Sequence, residues 1–305
     1  MMLKAAASGN ITAVSKLLAK HGPRMLKAHT SDGSTPVLLA ARRGHTNVVR
    51  LLFQHGARWT DTDADNRRKG NVLHYACWGG SKDLVEWLLD TYSPDLSCTD
   101  VVGNTPLLYS VYGGHRDVVE LMMRHGRSLH EHNQKHHTAV LQAACGGHLG
   151  LLQWLLDEQG FTLDERDHDG NTAILFAAWG GHRHVIDFLL ERGASIHERN
   201  FNGHCIFLSA ANGGRTEIVE WLLQEQGFDL HAVNHNGDTA LLLACYGGHL
   251  PLVKRLLELG ADMSDKNSCG FTPLLSGECS FRCCCCCCCC CCCCCCCCCC
   301  CCGRC

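Results

Sequence analysis

The residues of this chain with the most obvious chemistry are its thiols and imidazoles. The sequence has 28 cysteines and 20 histidines among 305 residues, and thiolate sulfur and imidazole nitrogen are ligands that zinc and copper(I) favour. Most of the cysteines lie in one uninterrupted run, Cys283 to Cys302. Every CxxC spacing in a homopolymer arises trivially, whereas selective metal sites space their ligands with other residues. The run therefore predicts no defined metal site.

Residues 277–305, which contain this run, are interpreted as a low-complexity, non-globular tail. Such a tail is either disordered or an artefact of the gene model, for example a retained intron that carries a triplet repeat. The functional alternative is a thiol-rich metal-binding protein that acts through the tail. That alternative predicts many bound thiophilic ions per chain and loss of this binding on truncation at Ser276.

Seven further cysteines are scattered through the chain, mostly at apolar positions, as is typical of reduced, buried thiols in an intracellular protein. They are Cys77, Cys98, Cys145, Cys205, Cys245, Cys269 and Cys279. Residues 1–10 lack the apolar run of a signal peptide, and their alanines fit a helix. We therefore expect a cytoplasmic or nuclear protein that does not contact a membrane.

A cluster of histidines, His130, His132, His136 and His137, has the composition of a metal site. It misses the zinc-protease pattern HExxH because Gln134 occupies the position of the second histidine. It is also predicted to lie in a turn rather than on a helix. We therefore predict no metal site here and no cofactor.

Motifs of the common enzyme classes are missing from the sequence, which has no phosphate-binding loop, dinucleotide fingerprint or nucleophile elbow. We expect no catalytic residues and no enzyme activity, with the alternative that the chain is the recognition fragment of a larger multidomain enzyme. A net charge of −3 with neutral histidines excludes the basic surface that nucleic-acid binding needs. Because unperturbed histidines titrate near pH 6.5, we expect binding by this surface to depend on pH.

These residues are set in a series of similar units, each with two apolar segments joined by a turn. Pro36–Ala41 precedes one such turn, and Val48–Leu52 follows it. The second segment places its apolar residues on one stripe of a helical period, so each unit is predicted to be a helix, a turn and a helix. The turns are Gly44-His45, Gly113-Gly114-His115, Gly146-Gly147-His148, Gly180-Gly181-His182 and Gly247-Gly248-His249, with degenerate copies at Gly79-Gly80-Ser81 and Gly213-Gly214-Arg215.

Signals for the helix ends accompany this pattern. Threonine followed by proline, as in Thr35-Pro36 and Thr105-Pro106, is typical of a helix start, where threonine caps and proline is tolerated in the first turn. Glycine after the second segment, as at Gly56 and Gly193, is typical of a left-handed helix end. The histidines of the turns are predicted to be structural, since they recur in the units at a fixed position.

The segment Asp32–His45, with the sequence DGSTPVLLAARRGH, resembles the ankyrin repeat signature, whose period is about 33 residues. The resemblance spans residues 1–276 and implies an all-α ankyrin-repeat solenoid of helix-turn-helix repeats joined by finger-like turns. We expect about eight repeats, with an incomplete repeat at each end. Cys205 in place of the capping threonine and His136 in place of a glycine depart from the pattern and predict less regular geometry there.

The resemblance implies a protein-interaction module or scaffold that holds an unidentified protein on a concave face, and we expect a monomer. Several repeats carry an aromatic residue at the last position of the first helix. Exposed Trp and Tyr are typical of binding hot spots, although such a ring can equally pack on the next repeat. Finger residues add a polar rim, and the basic insertion Arg67-Arg68-Lys69 near Arg42-Arg43 favours an acidic partner. The predicted partner-binding residues are Arg42, Arg43, Trp78, Tyr112, Trp179, Tyr246, His168, Phe201, His204 and His235.

Overall fold

The computed structural model describes residues 1–63 and 69–275. The predicted low-complexity tail, residues 277–305, lies outside these ranges, as do Arg67 and Arg68 of the basic insertion. The described residues form paired α-helices stacked in repeats, which confirms the all-α prediction. Within these residues, β-structure is limited to two isolated bridges, Arg199 to Cys205 and Val233 to Thr239.

The chain divides into two compact units, residues 1–143 and the part that begins at Ala144. Helix α9, Ala139–Gly146, contains this boundary. The first unit holds α1 (Met2–Ala7), α2 (Ile11–His21), a 3-10 helix (Pro23–Lys27), α3 (Pro36–Arg42), α4 (Thr46–Gln54), α5 (Val72–Gly79), α6 (Lys82–Tyr92), α7 (Pro106–Gly113) and α8 (Arg116–Arg124). The second unit holds α10 (Leu149–Glu158), α11 (Ala173–Gly180), α12 (Arg183–Glu191), α13 (Ile206–Asn212), α14 (Thr216–Gln224), α15 (Ala240–Tyr246) and α16 (Leu250–Glu258).

Each unit has two layers of helices. The odd-numbered helices, called the inner helices, pack on one another in sequence order, as α3 packs on α1 and α5, and α13 packs on α11 and α15. The even-numbered helices, called the outer helices, form the other layer, in which α2 packs on α4 and α14 packs on α16. Inner helices also pack on the outer helices that follow them, as α11 does on α12.

The two layers differ in their hydrophobic pattern because they differ in contact. Inner helix α11 buries every side chain from Ala173 to Ala178, since helices of both layers surround it. Outer helix α12 is amphipathic and buries Val185, Ile186 and Leu189 while Arg183 and Asp187 stay partly exposed. Each large apolar side chain buried in this way stabilises the fold by about 1.5–3 kcal/mol.

The histidines of the turns join successive repeats, which confirms their structural interpretation. In the first unit, the Nε2–H group of His115 donates to the carbonyl oxygen of Trp78 at 3.0 Å. In the second unit, His182 and His249 donate in the same way to Cys145 and Asn212, at 2.9 Å each. The degenerate turn at Gly213-Gly214-Arg215 keeps the contact, since Arg215 donates from Nε to the carbonyl oxygen of Trp179 at 2.8 Å.

The predicted helix ends agree with the structure except at one cap. Gly56 and Gly193 have φ of 105° and 96°, the left-handed conformation expected at these ends. The Thr105 hydroxyl accepts a hydrogen bond from the backbone N–H of Leu108 at 3.3 Å. Thr35 makes no such capping bond, so its prediction as a cap is wrong, and α3 starts with the fixed φ of Pro36 instead. His136 has a φ of 63° where a glycine would be unstrained, as the departure from the pattern predicted.

Crossing a bilayer takes about 20 consecutive apolar residues in a helix. No helix of residues 1–63 and 69–275 combines that length with that apolarity.

Candidate functional site

The connections between the outer helices and the next inner helices form a row of fingers. In the second unit, the first, second, third and fourth fingers are residues 167–170, 200–203, 234–237 and 267–270. Backbone bonds link the fingers: the N–H of Phe201 donates to the carbonyl oxygen of Asp169 at 2.9 Å, and that of His235 to Asn202 at 3.0 Å. The N–H of Ser268 donates to the carbonyl oxygen of Asn236 at 2.8 Å. The fingers therefore form a fixed surface within this unit.

Side chains add a second set of links, which we call the amide ladder. In the second finger, the Asn200 Oδ1 atom accepts from the backbone N–H of Asn202 at 3.0 Å and of His204 at 2.9 Å, which shapes the finger. Its Nδ2 group donates backwards to Asn171 Oδ1 at 2.8 Å. Asn234 occupies the same place in the third finger and donates from Nδ2 to His204 Nε2 at 2.8 Å.

His204 is therefore part of the interior, and its prediction as a contact residue on the polar rim is wrong. Its side chain is only 5% exposed, because Asn234 of the next finger holds the ring. Burial lowers the pKa of His204 below its usual range, against the opposing effect of the Asp238 and Asp169 carboxylates. A partner would not reach this ring without opening the finger.

Three predicted contact residues lie at the tips of successive fingers. His168, Phe201 and His235 are exposed, and the Phe201 ring is 67% exposed. This ring rests on the first finger so closely that a Cβ atom on Gly170 would approach Phe201 Cδ1 to 2.7 Å. His235 likewise lies against Gly203 of the second finger, where a Cβ atom would approach its ring to 2.7 Å. The backbone of each finger thus supports the tip residue of the next.

The ends of the inner helices in the second unit carry the predicted Trp179 and Tyr246. Trp179 is half-buried at the end of α11, whereas Tyr246 is 39% exposed at the end of α15. Helix α13 lies between these two helices and ends in Asn212. The two aromatic residues are therefore separated by a polar position.

In the first unit, Trp78 belongs to an aromatic cluster rather than to an open surface. The Arg42 guanidinium carbon lies 3.6 Å from the centroid of the Trp78 ring, in a cation–π contact. The rings of Tyr75, Tyr109 and Tyr112 have centroids 6.0, 6.0 and 5.9 Å from that of Trp78. Trp78 and Tyr112 are half-buried, which agrees with the alternative that these rings pack on neighbouring side chains, and Arg43 beside Arg42 is exposed.

Sequence reasoning missed several residues of these surfaces. Tyr75 and Tyr109 each lie three positions before a predicted aromatic residue, a spacing that places both rings on one helix face, so the signal was present. Val233 is 44% exposed and lies two positions before His235 on the third finger. No local signal distinguishes Val233 from a core valine.

The histidine cluster of residues 130–137 has a structural arrangement. Glu131 accepts a hydrogen bond from the Thr105 hydroxyl at 2.9 Å and pairs with Arg127. The rings of His132 and His136 lie 3.9 Å apart between centroids. In the part of the chain that the structure describes, no three His, Cys, Asp or Glu side chains are grouped to hold a metal ion.

Comparison with known proteins gives several partial matches. The chain is 27% identical over 194 residues to Protein fem-1 homolog A-like of Mus musculus, which covers 50% of this chain and 30% of that protein. It is 31% identical over 144 residues to Ankyrin repeat domain-containing protein 63 of Mus musculus, covering 45% of this chain and 36% of that protein. It is 30% identical over 124 residues to Transient receptor potential cation channel subfamily A member 1 of Drosophila melanogaster, covering 39% of this chain and 10% of that protein. In each case the match spans little more than a third of the relative's length, or less.

A family model agrees with the helix pairs and the fingers. The model described as "Ankyrin repeats (3 copies)" matches residues 1–100, 58–130, 73–165, 108–200 and 206–281. These matches cover well over half of the sequence. The chain therefore belongs to the ankyrin repeat family, whose repeats serve as protein-interaction modules.

Proposed function

We propose that this chain binds a protein partner through the fingertips of the second unit, with Phe201 at the centre of the contact. The observation that carries the proposal is the 67% exposure of the Phe201 ring. Of the aromatic side chains that the structure describes and that are exposed, Phe201 exceeds Tyr246 at 39% and Tyr92 at 38%. Contact between an apolar ring and water is unfavourable, and a partner that covers the ring removes this contact.

The position of Phe201 is held before any partner arrives. Its backbone N–H is bonded to Asp169, and its ring is supported by Gly170. A ring that is already fixed loses little conformational freedom on binding, which is why pre-ordered aromatic residues contribute strongly to affinity. This support favours a binding role over a chance exposure.

The surroundings of Phe201 fit a mixed apolar and polar contact. His168 and His235 flank it at the tips of the neighbouring fingers, and both rings are exposed. Val233 adds apolar surface directly before the third finger. We propose that Tyr246 contributes from its exposed helix end, and that Arg42 and Arg43 offer an acidic partner a separate contact in the first unit.

The activity we propose is binding rather than catalysis. His74, whose pKa burial lowers to about 4, accepts from the backbone N–H of Asn71 at the start of α5. Burial also raises the pKa of the Cys77 thiol, which is enclosed in the same helix. Burial in the core explains the pKa shifts of both groups without a catalytic role. This supports a scaffold or the recognition part of a larger protein. The proteins that share this module carry very different names, so they do not identify the partner.

The test is quantitative capture of partners by the full chain, kept reduced, in its native form and as two variants. Phe201→Ala removes the exposed ring, and Leu250→Ala is the control because Leu250 is 60% exposed at the start of outer helix α16. We expect a partner bound by the native chain and by Leu250→Ala to lose about 30-fold in affinity for Phe201→Ala, the scale of a hot-spot residue. Equal affinity for all three proteins, with unchanged helical circular dichroism, would show that the fingertips are not the site.

A further inference from the structure

The amide of Asn234 has every hydrogen-bonding position assigned by its neighbours. Its Oδ1 atom accepts from the backbone N–H groups of Asn236 and Asp238, at 2.9 Å each. Because backbone N–H groups only donate, the amide cannot be turned over, and the Nδ2 group must be the one that faces His204. Nδ2 donates to His204 Nε2 at 2.8 Å and to Asp238 Oδ2 at 2.9 Å, which uses both of its hydrogens.

This arrangement determines the protonation state of His204. Nδ2 of an amide is only a donor, so His204 Nε2 must accept and cannot carry a proton. The ring is therefore neutral, with its proton on Nδ1. A second proton would place an N–H group of the ring against an N–H group of Asn234 in a site where His204 is 5% exposed.

The other links of the ladder have side-chain oxygen atoms of asparagine or aspartate as their acceptors. Asn171 Oδ1 accepts from Asn200 Nδ2 at 2.8 Å, and Asp238 Oδ1 accepts from Asn267 Nδ2 at 2.7 Å. In the first unit, Asn104 Oδ1 accepts from Asn133 Nδ2 at 2.8 Å. Among these links, the one between the second and third fingers is the one that depends on a histidine, the side chain whose ordinary pKa places its gain of charge between about pH 5 and 8.

Charged groups face His204 from both neighbouring fingers. Asp169 of the first finger and Asp238 next to the third favour the protonated ring. Burial acts in the opposite direction and is the larger effect, so the pKa of His204 lies below its ordinary value. The link is therefore intact at neutral pH and is lost as the pH falls through this lowered pKa.

We propose that protonation of His204 releases the third finger from the second and so acts as a pH-dependent control of the Phe201 surface. The amide of Asn234 cannot turn over to present its oxygen to the protonated ring. The backbone N–H groups of Asn236 and Asp238 would then lose Oδ1 as their acceptor. Either Asn234 or His204 must leave its position, and in both cases the side-chain link between the second and third fingers is lost. The control of binding rests on the proposed function, whereas the release of the finger does not.

Hydrogen exchange on the full, reduced chain at about pH 7.5 and about pH 5.5 tests the release. After correction for intrinsic exchange rates, we expect backbone protection in residues 234–238 to be lower at about pH 5.5 than at about pH 7.5, and the loss to grow as the pH is lowered further through the pKa of His204. Residues 167–171, which contain the first finger, are the internal reference, because their link to the second finger runs through Asn171 and does not involve His204. His204→Asn should abolish the extra loss, since asparagine is the acceptor at the equivalent positions 104 and 171. His231→Asn, at an exposed histidine of the same unit, should leave the loss unchanged.

Three results would overturn the proposal. One is equal loss of protection in residues 167–171 and 234–238 of the native chain, and another is the same pH dependence in His204→Asn. The third needs no variant: ring nitrogen shifts at about pH 7.5 that show a proton on Nε2 of His204. The capture assay repeated at about pH 5.5 concerns the binding role separately. If exchange shows the finger released while capture is undiminished, the fingertip assignment of the proposed function fails and the release stands.

Discussion

His182 donates from Nε2 to the backbone carbonyl oxygen of Cys145 at 2.9 Å, across 37 positions of sequence. This bond joins the turn of one repeat to the end of the preceding inner helix. Gly147 makes room for it, because a Cβ atom there would approach His182 Nδ1 to 2.4 Å. The same contact recurs between His249 and Asn212. The turn sequence thus specifies how adjacent repeats are joined within the unit.

Removing this histidine should weaken the unit. His182→Ala removes this donor from the Cys145 carbonyl, and the loss of a hydrogen bond of this kind costs about 0.5–1.5 kcal/mol. His182→Arg is the matched control, since Arg215 makes the equivalent bond to Trp179. Urea unfolding followed by circular dichroism should show this loss of stability for His182→Ala. His182→Arg should keep most of the stability of the native chain. Equal losses for both would contradict the role of the bond.

Gly170 should be less replaceable than glycines with the same backbone conformation. Gly170 has a φ of 79°, and a Cβ atom there would also collide with Phe201. Gly193 has a φ of 96° with open space around it, so Gly193→Ala measures the backbone cost alone, about 1–2 kcal/mol. We expect Gly170→Ala to cost more than Gly193→Ala in thermal unfolding. Adding Phe201→Ala to Gly170→Ala should remove the excess, and an excess that persists would exclude the contact as its cause.

His74 should make the first unit sensitive to acid. Because burial lowers its pKa to about 4, the folded chain keeps the ring neutral below pH 6.5, where the unfolded chain protonates it. The contribution of neutral His74 to the free energy of unfolding is fully present above about pH 6.5 and is lost as the pH falls towards 4. At about pH 4.5 the loss is about 2–3 kcal/mol. His74→Leu should lose less stability over this range than the native chain. Parallel pH curves would contradict the prediction, and His125→Leu, at an exposed site, is the control.

Trp78 and Tyr246 should respond differently to truncation. Trp78 packs with Arg42 and several tyrosines, so Trp78→Ala should cost about 2–3 kcal/mol of stability. Tyr246 is 39% exposed, so Tyr246→Ala should cost less than about 1 kcal/mol. Urea unfolding of the two variants measures this difference. Similar costs would mean that the two aromatic residues have the same role.

Several features of this fold could be predicted because they depend on local and repeated chemistry. Proline after threonine, glycine at helix ends and apolar stripes act within a few residues, so the helix pairs could be placed from the sequence. The turn histidines could be recognised as structural because their position recurs. The prediction that Thr35 caps α3 failed because capping requires a particular rotamer of the threonine side chain, which the sequence pattern does not determine.

Burial of individual side chains was decided by tertiary structure. His204 and His235 both occur in finger segments, yet Asn234 of the next finger encloses His204 while His235 stays exposed. Trp78 resembled an exposed contact residue, but Arg42 of the preceding repeat covers its ring. The sequence by itself determined which elements form and where they end, because those signals are local. Which side chains a partner can reach depends on contacts between residues some 30 or more positions apart, and only the packing of one repeat on the next supplies them.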